Sequence, residues 1–166
     1  MRALILTADN CDDSELLYPY FRLLEAGLEV DIASFNKGIV HCKKYFSAEA
    51  NLKVDEVDDM RYDCLVLPGG TAPEKLRQND CVIKIVRSFF ERNLPVCSIC
   101  HGQQILISAK VLKGKNATCY PGIKDDLINA GAVYSNQQVV VDGNLVTSRR
   151  PEDLPYFMRE FINILK

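Results

Sequence analysis

Short apolar runs alternate along this chain with longer segments whose apolar residues recur at helical spacing. The runs at 2–7, 29–35, 63–70 and 94–100 have the length and composition of buried strands. Alternation of this kind is typical of βαβ units built around a parallel sheet. It therefore predicts a doubly wound α/β fold, in which helices cover both faces of a mostly parallel sheet.

The segments between and after these runs complete the predicted architecture. Residues 38–54 are predicted to form an irregular hairpin rather than a helix, and residues 137–148 form a second hairpin around an Asp-Gly-Asn turn. The first helix is predicted from Leu16 onward, with Pro19 near its start, where proline does least harm. The last helix begins at Pro151, which suits a first helical turn.

Composition limits the class of protein. With 166 residues, 48% hydrophobic and 25% charged, the chain is long and apolar enough for one domain over residues 1–166. A net charge of −2 without long Lys/Arg runs argues against nucleic acid as a partner. The first apolar stretch, residues 3–6, is too short to cross a membrane, so we expect no membrane partner and a cytoplasmic location. An odd number of cysteines, seven, argues against a disulfide framework.

Three segments are predicted to meet at one edge of the sheet. In a doubly wound fold, ligands bind outside the carboxyl ends of the strands. Residues 9–15, 68–74 and 100–103 each follow a predicted strand, so they converge at that edge. Any functional site of this fold is expected there.

Cys97 and Cys100 form a C-x-x-C motif, which suggests a redox pair or a zinc site. Because residues 96–99 are predicted as extended strand, the two cysteines would lie roughly 10 Å apart at about 3.3 Å per residue. A disulfide requires Cα atoms within about 7 Å of each other. Zinc requires four ligands at suitable spacing, and the chain has no second motif to supply them, so no metal is predicted.

The position of Cys100 favours a nucleophile. A strand that ends at Ile99 and a helix that opens at Gly102 would display the side chain between them on a sharp strand-to-helix elbow. The positive end of that helix would lower the pKa of the Cys100 thiol, so that the sulfur is ionised near neutral pH. The N–H groups of Gly69 and Gly70 would then face an oxyanion near the sulfur. Two plainer interpretations stay open: Cys100 fills the sheet edge, and the two glycines only make a turn.

Only two histidines are present, and His101 adjoins the cysteine. On a sharp turn it can fold back toward the sulfur and act as the base, with a carboxylate to hold its tautomer. Glu15 and Glu74 come from the other two segments at this edge and are the candidates. Each also has a structural explanation, because Glu15 has capping-box spacing from Asp12 and Glu74 lies in a first helical turn.

Several motifs resemble one known family, and they occur in order along almost the whole chain. They are "DCLVLPGGTAPEKLR" (63–77), "PVCSICHGQQILISA" (95–109), "TCYPGIKDDLINAGA" (118–132) and "VVVDGNLVTSRRPEDLPYFMREF" (139–161). The chain resembles the PfpI-type intracellular protease family, within the superfamily that includes the parkinsonism-associated deglycase. The resemblance implies a flavodoxin-like sandwich with a nucleophile elbow and no cofactor.

The resemblance also implies roles for individual residues. Cys100 is the nucleophile, His101 is its partner, and Glu15 is hydrogen-bonded to the sulfur. In similar proteins the acid matching Glu74 reaches the histidine from a neighbouring subunit, so a complete site would exist only in a homo-oligomer, a dimer or a hexamer.

Backbone at Gly70 and His101 would form the oxyanion hole, and Tyr120 would border the pocket. The family usually has proline where this chain has Gln103. A glutamine there is expected to loosen the elbow or to add a polar group near the pocket, and Cys119 is a candidate resolving thiol.

Two kinds of function follow. In the first, the Cys100 thiolate attacks a carbonyl, which gives a peptidase or amidase on peptides, or a glyoxalase III or deglycase on methylglyoxal-type carbonyls. In the second, the protein is not an enzyme but a redox sensor or stress-protective protein. Its Cys100 would then be oxidised to a sulfinic acid held by protonated Glu15.

Overall fold

A computed structural model describes residues 1–166, which form eleven strands and six α-helices joined by short 3₁₀ turns. The strands are β1 (Arg2–Leu6), β2 (Glu29–Ser34), β3 (Gly38–His41), β4 (Ser47–Ala50), β5 (Leu52–Lys53), β6 (Cys64–Leu67), β7 (Val96–Ile99), β8 (Asn116–Ala117), β9 (Val133–Tyr134), β10 (Val139–Asp142) and β11 (Leu145–Ser148). The helices are α1 (Asp13–Glu25), α2 (Ala72–Leu76), α3 (Asp80–Glu91), α4 (Gln103–Ala109), α5 (Lys124–Asn129) and α6 (Leu154–Ile164).

The central sheet has seven strands in the order β10-β11-β7-β6-β1-β2-β5. All neighbours pair in parallel except β10 and β11, which form the antiparallel hairpin predicted around the Asp-Gly-Asn turn. β3 and β4 pair with each other as a separate antiparallel hairpin, as predicted for this region. The predicted α/β class with a mostly parallel sheet is confirmed.

Helices form two groups, one on each face of the sheet. Helix α1 packs against α6, whereas α4 packs against α2, α3 and α5. The middle strands are buried on both faces: residues 3–6 of β1 and all of β6 and β7 are buried. That double burial explains why these strands appear in the sequence as continuous apolar runs rather than as alternating patterns. No helix has the length and apolar character needed to span a membrane.

The start of α1 differs from the prediction. The Asp12 side chain accepts hydrogen bonds from the N–H groups of Ser14 and Glu15, at 3.1 and 3.3 Å, so the helix begins at Asp13 rather than near Leu16. Pro19 therefore lies inside the helix and not near its start. Proline has no N–H to donate to the carbonyl four residues earlier, which is that of Glu15.

The fourth predicted strand, 94–100, is also shorter than expected. β7 ends at Ile99, and Cys100–Gly102 form a 3₁₀ turn that leads directly into α4. The two-residue strands β5 and β9 were not predicted, because they are too short for a periodic pattern. The sharp strand-to-helix turn at Cys100 agrees with the predicted elbow.

Candidate active site

The three predicted segments do meet at the carboxyl edge of the sheet. The Gly69 N–H donates to Glu15 Oε2 at 2.9 Å, and the Asp12 N–H donates to the Gly69 carbonyl at 3.3 Å. The Thr71 N–H donates to the Asn10 carbonyl at 3.0 Å. Because β6 lies between β1 and β7 in the sheet, the segment that follows β6 touches both of the others.

Cys100 occupies a strained position on the elbow. Its φ angle is +62°, in the left-handed region that residues with a side chain adopt at a cost of about 1–3 kcal/mol. Gly102 permits this turn, because a Cβ there would lie 2.4 Å from the Leu67 carbonyl oxygen. The turn can therefore pack directly against the end of β6. The Cys100 side chain is almost buried, with 8% of its surface exposed.

Four groups surround the Cys100 sulfur. The His101 ring folds back so that its Nδ1 lies 3.3 Å from Sγ, as expected for a base on a sharp turn. The Glu15 carboxyl faces the sulfur from α1, and the backbone N–H groups of Gly70 and His101 point at it. An acid, an imidazole and two N–H donors therefore converge on one thiol.

Glu15 is the most buried acid at this edge. Its side chain has no exposed surface, and its Oε1 has no nitrogen or oxygen partner. Burial, followed by the negative charge of Asp12, raises the pKa of Glu15 to about 8. The carboxyl is therefore mostly protonated at neutral pH, and it can donate its proton to the sulfur beside it.

The prediction that the Cys100 thiol has a lowered pKa is wrong for this chain. Burial raises the pKa of Cys100 above that of a free thiol, the charge of Glu15 raises it further, and the N–H groups of His101 and Gly70 oppose both effects. Burial wins because the sulfur is nearly sealed from water and because α4 has only seven residues. When Glu15 is protonated its charge is absent, so ionisation of the thiol requires that Glu15 keep its proton.

His101 is half-buried and stacks on Tyr120, with ring centroids 4.6 Å apart and an angle of 28° between the planes. Burial lowers the pKa of His101, the charge of Lys43 lowers it further, and the charge of Glu74 opposes both. A lowered pKa keeps the imidazole neutral at pH 7, so it can accept a proton from Cys100. Tyr120 borders the site and is 40% exposed.

Glu74 and the two glycines differ in how they relate to this site. Glu74 is exposed in α2, and within one chain it acts on His101 only through its charge.

The Gly69 N–H is already bonded to Glu15, so the prediction that it faces an oxyanion is wrong. The absence of a side chain at Gly69 is still necessary, because a Cβ there would lie 2.3 Å from Glu15 Oε2. The Gly70 N–H is the donor that points at the sulfur.

The structural role of Gln103 differs from the one expected from the sequence. Its side chain is fully buried, and its amide nitrogen donates to the carbonyls of Ser98, Thr118 and Ser148 at 3.2, 2.8 and 3.0 Å. The amide therefore ties β7, β11 and the segment after β8 together behind the elbow. All contacts of the Gln103 side chain are internal, so it does not add a polar group to the pocket.

Lys43 was missed by the sequence reasoning. It lies in the loop of the β3–β4 hairpin, and its charge reaches both Glu15 and His101. The basic "HCKKY" turn at 41–45 is the signal in the sequence, but the pattern does not indicate that this hairpin folds over the site. The other histidine, His41, contacts Ser47 instead, with Nδ1 3.1 Å from Oγ.

None of the other six cysteines is among the groups that surround the Cys100 sulfur. All seven are free, so Cys97 and Cys100 are not joined. Cys97 is fully buried in β7, and burial raises its pKa well above that of a free thiol. Cys119 is also buried, and burial raises its pKa to about 12. No three His, Cys, Asp or Glu side chains are grouped closely enough to hold a metal ion.

Comparisons with known proteins identify relatives over the full length of this chain. The chain is 52% identical to the protein named Deglycase PfpI of Pyrococcus furiosus and 40% identical to the protein named Putative cysteine protease YraA of Bacillus subtilis. The first match covers 100% of both chains, and the second covers 98% of this chain and 96% of the relative.

Among solved structures, a two-domain protein from Anabaena variabilis with DJ-1/ThiJ/PfpI-like and ferritin-like domains superposes with a TM-score of 0.96 at 36% identity. That match covers 99% of this chain and 48% of the other, so this chain spans about half the length of that protein. The family model described as DJ-1/PfpI matches residues 1–164. With the family model matched over residues 1–164 and a relative 52% identical over its full length, this chain belongs to the DJ-1/PfpI family.

Proposed function

We propose that this protein is an enzyme that uses Cys100 as a nucleophile against small carbonyl compounds, of the class of methylglyoxal and the adducts it forms with amines or thiols. One observation carries the proposal: the Cys100 sulfur meets a protonated acid, a neutral imidazole and two N–H donors at the same point. A base beside the attacking atom and donors for the oxygen that becomes negative both favour nucleophilic catalysis at a carbonyl.

The first step is attack on the carbonyl carbon. His101 Nδ1 takes the thiol proton while the sulfur bonds to the aldehyde carbon and the carbonyl π electrons move onto oxygen. The N–H groups of Gly70 and His101, which point at the sulfur, are suitably placed to stabilise that oxygen. Glu15 keeps its own proton, so no second negative charge opposes the developing thiolate.

The second step transfers a proton within the bound adduct. The thiol proton first passes from His101 to the alkoxide oxygen, which gives a neutral hemithioacetal and frees the imidazole. With methylglyoxal, His101 then removes the hydrogen from the carbon bonded to sulfur and returns it to the neighbouring carbon, while the hydroxyl proton passes from the first oxygen to the second, which leaves a thioester of lactate on Cys100. Water then cleaves the thioester, so that methylglyoxal and water give lactate and the free thiol. No electrons leave the substrate, and no cofactor is required.

Burial of the sulfur supports a small substrate. With 8% of the Cys100 surface exposed, an aldehyde can reach the sulfur more easily than an extended peptide can. The full-length relative at 52% identity is named a deglycase, whereas the relative named a putative cysteine protease is 40% identical. Both names describe enzymes, which favours catalysis over a purely sensory role for Cys100.

We further propose that the active form is a homo-oligomer, either a dimer or a hexamer. Tyr120 stacks on His101 and is 40% exposed, and Glu74, which is exposed in α2, affects His101 through its charge. A neighbouring subunit that covers this side would exclude water and bring its own Glu74 to His101. The resemblance described above supports this arrangement.

The proposal is tested by turnover with and without the sulfur nucleophile. Wild-type protein is expected to convert methylglyoxal to lactate and to release amines from their methylglyoxal adducts, and Cys100→Ser is expected to lose at least about a hundredfold in rate. Cys81→Ser, at a half-buried cysteine in α3, is the control and should keep full activity. A fluorogenic peptide assayed in parallel separates carbonyl chemistry from peptidase activity. Full methylglyoxal turnover by Cys100→Ser would refute the proposed nucleophile, and turnover of the peptide alone would refute the substrate class.

A further inference from the structure

A second pair of thiols lies outside the proposed catalytic groups. Cys11 follows β1 in the loop that leads to α1, and Cys42 lies in the β3–β4 hairpin. Main-chain hydrogen bonds hold the two segments together on both sides of the pair. The Asn10 N–H donates to the His41 carbonyl at 2.8 Å, and the Lys43 N–H donates to the Cys11 carbonyl at 3.0 Å. The two side chains face each other between these bonds.

The surroundings of the pair favour charge on Cys11. The Cys42 thiol is close enough to the Cys11 sulfur for each to change the pKa of the other, and the Thr7 hydroxyl, which is buried and has no nitrogen or oxygen partner, lies near the same sulfur. Both contacts lower the pKa of Cys11, whereas the contact with Cys11 raises that of Cys42. Cys11 has no exposed surface, but Cys42 is half-buried, so a reagent from solution reaches Cys42 first.

We propose that Cys11 and Cys42 form a reversible disulfide when the protein meets a peroxide, and that this site is separate from Cys100. The held geometry supplies the essential condition, because a disulfide forms readily only between sulfurs whose backbones are already adjacent. Peroxide oxidises the half-buried Cys42 thiol first, and the buried Cys11 thiol then forms the disulfide with it.

Hydrogen peroxide is the oxidant, and both of its oxygen atoms leave as water. The pair loses one proton, and the proton left between the sulfurs passes to Cys11 as the Cys42 sulfur attacks peroxide. An S–O bond forms, the O–O bond breaks, and the departing hydroxide takes up a proton to become water. The Cys11 sulfur then attacks the Cys42 sulfur, the S–S bond forms, the S–O bond breaks, and a second water leaves with the Cys11 proton.

The bond would join the hairpin to the loop that shapes the site. Cys11 forms an isolated β-bridge with Gly70 and precedes Asp12, the residue that caps α1. Cys42 precedes Lys43, whose charge reaches Glu15 and His101. Oxidation would fix these segments to each other and restrict the unfolded chain, so the oxidised protein is expected to unfold at a higher temperature.

Peptide mapping without reduction tests the proposal directly. Cleavage after Lys and Arg yields peptides 3–22 and 38–43, which contain Cys11 and Cys42 as their sole cysteines. After the full-length protein is treated with hydrogen peroxide, we expect these peptides to be joined at about 2 Da below the sum of their masses. Dithiothreitol should separate them and reverse the rise in melting temperature.

Three variants distinguish the Cys11–Cys42 disulfide from oxidation at other cysteines. Cys42→Ser should abolish the joined peptide, whereas Cys81→Ser and Cys100→Ser should retain it. The proposal is overturned if wild-type Cys11 and Cys42 both remain open to alkylation after peroxide treatment. It is also overturned if either cysteine is joined to a different one. Because the wild-type map is sufficient by itself, a variant that failed to fold would not weaken the test.

Discussion

The carboxyl group of Glu15 lies in a buried position where its ionised form is unfavourable. The side chain is fully buried, and the hydrogen bond from the Gly69 N–H does not offset the loss of water. The pKa of Glu15 is therefore about 8, and the carboxyl stays mostly protonated below that pH. A protonated acid beside the Cys100 sulfur can donate a hydrogen bond to it without placing a negative charge next to it.

The raised pKa of Glu15 predicts a pH-dependent stability. In the unfolded chain this carboxyl loses its proton near its ordinary pKa, 4.5, whereas in the folded protein it does so near 8. Between these values the folded state binds more protons, so the free energy of unfolding falls as pH rises and levels off above 8. Glu15→Gln removes this dependence. At roughly 1.4 kcal/mol per pKa unit, wild type should lose a few kcal/mol relative to the variant between about pH 5 and pH 8.

Urea unfolding of both proteins at several pH values measures this difference. Glu91→Gln, at the exposed end of α3, is the matched control and should follow wild type throughout. Parallel curves for wild type and Glu15→Gln would show that Glu15 is ionised in the folded protein at neutral pH.

At the scale of elements, the elbow depends on a buried amide behind it. Gln103 opens α4, and its side chain bonds to carbonyls from β7, from β11 and from the segment after β8. A proline, which the resembling family usually has here, fits the backbone, because the φ angle of Gln103 is −60°. It would leave those three carbonyls without their donor.

Replacement of Gln103 by methionine is therefore expected to destabilise the protein. Methionine has a similar size but no donor, and each buried polar group left unsatisfied costs about 1–3 kcal/mol, so the total loss should be about 2–5 kcal/mol. Urea unfolding measures this loss. Gln104→Met is the control, because Gln104 is the next residue of α4 and is only half-buried. Equal stability of the two variants would mean that water replaces the Gln103 amide at little cost.

The elements show what the sequence can predict and what it cannot. Continuous apolar runs predicted β1, β6 and β7 because these strands are buried on both faces. The order of strands and helices predicted that residues 9–15, 68–74 and 100–103 meet at one edge of the sheet, since parallel strands bring their carboxyl ends together. These inferences use local patterns and general rules of topology, and both were confirmed.

The inferences that failed depend on contacts distant in sequence. The pKa of Cys100 is raised chiefly by burial, and no local pattern encodes burial of that kind. The contacts of Gln103 reach 45 residues along the chain, to Ser148. The Gly69 N–H looked free in the sequence because its partner, Glu15, lies 54 residues away.

At the scale of the whole molecule, the site is open on one side. His101 is half-buried, Tyr120 is 40% exposed, and Glu74 is exposed in α2. Within one chain, Glu74 affects His101 only through its charge. A carboxylate that oriented the imidazole would have to come closer, and a neighbouring subunit provides a route for it.

Mixed oligomers test whether Glu74 acts across subunits. Glu74→Ala alone should lower the rate of methylglyoxal conversion about ten- to hundredfold, because in the proposed oligomer His101 then lacks the carboxylate that orients it. Cys100→Ser alone should be inactive. When the two variants are unfolded together and refolded, a mixed dimer contains one site with an intact Cys100 and an intact Glu74 from its partner. Random assembly makes half of the dimers mixed with one complete site each, so about a quarter of wild-type activity should return.

The recovered fraction distinguishes the two arrangements because the variants are complementary only across an interface. If Glu74 acted on His101 within its own chain, every site with an intact Cys100 would lack its acid, and mixing would add nothing to the activity of Glu74→Ala. Subunits carrying both substitutions, mixed with wild type, are the control for dilution. Light scattering on each sample confirms that the assembly is the same. Recovery in the mixture, with equal oligomer size throughout, would show that the active site is shared between two copies of this chain.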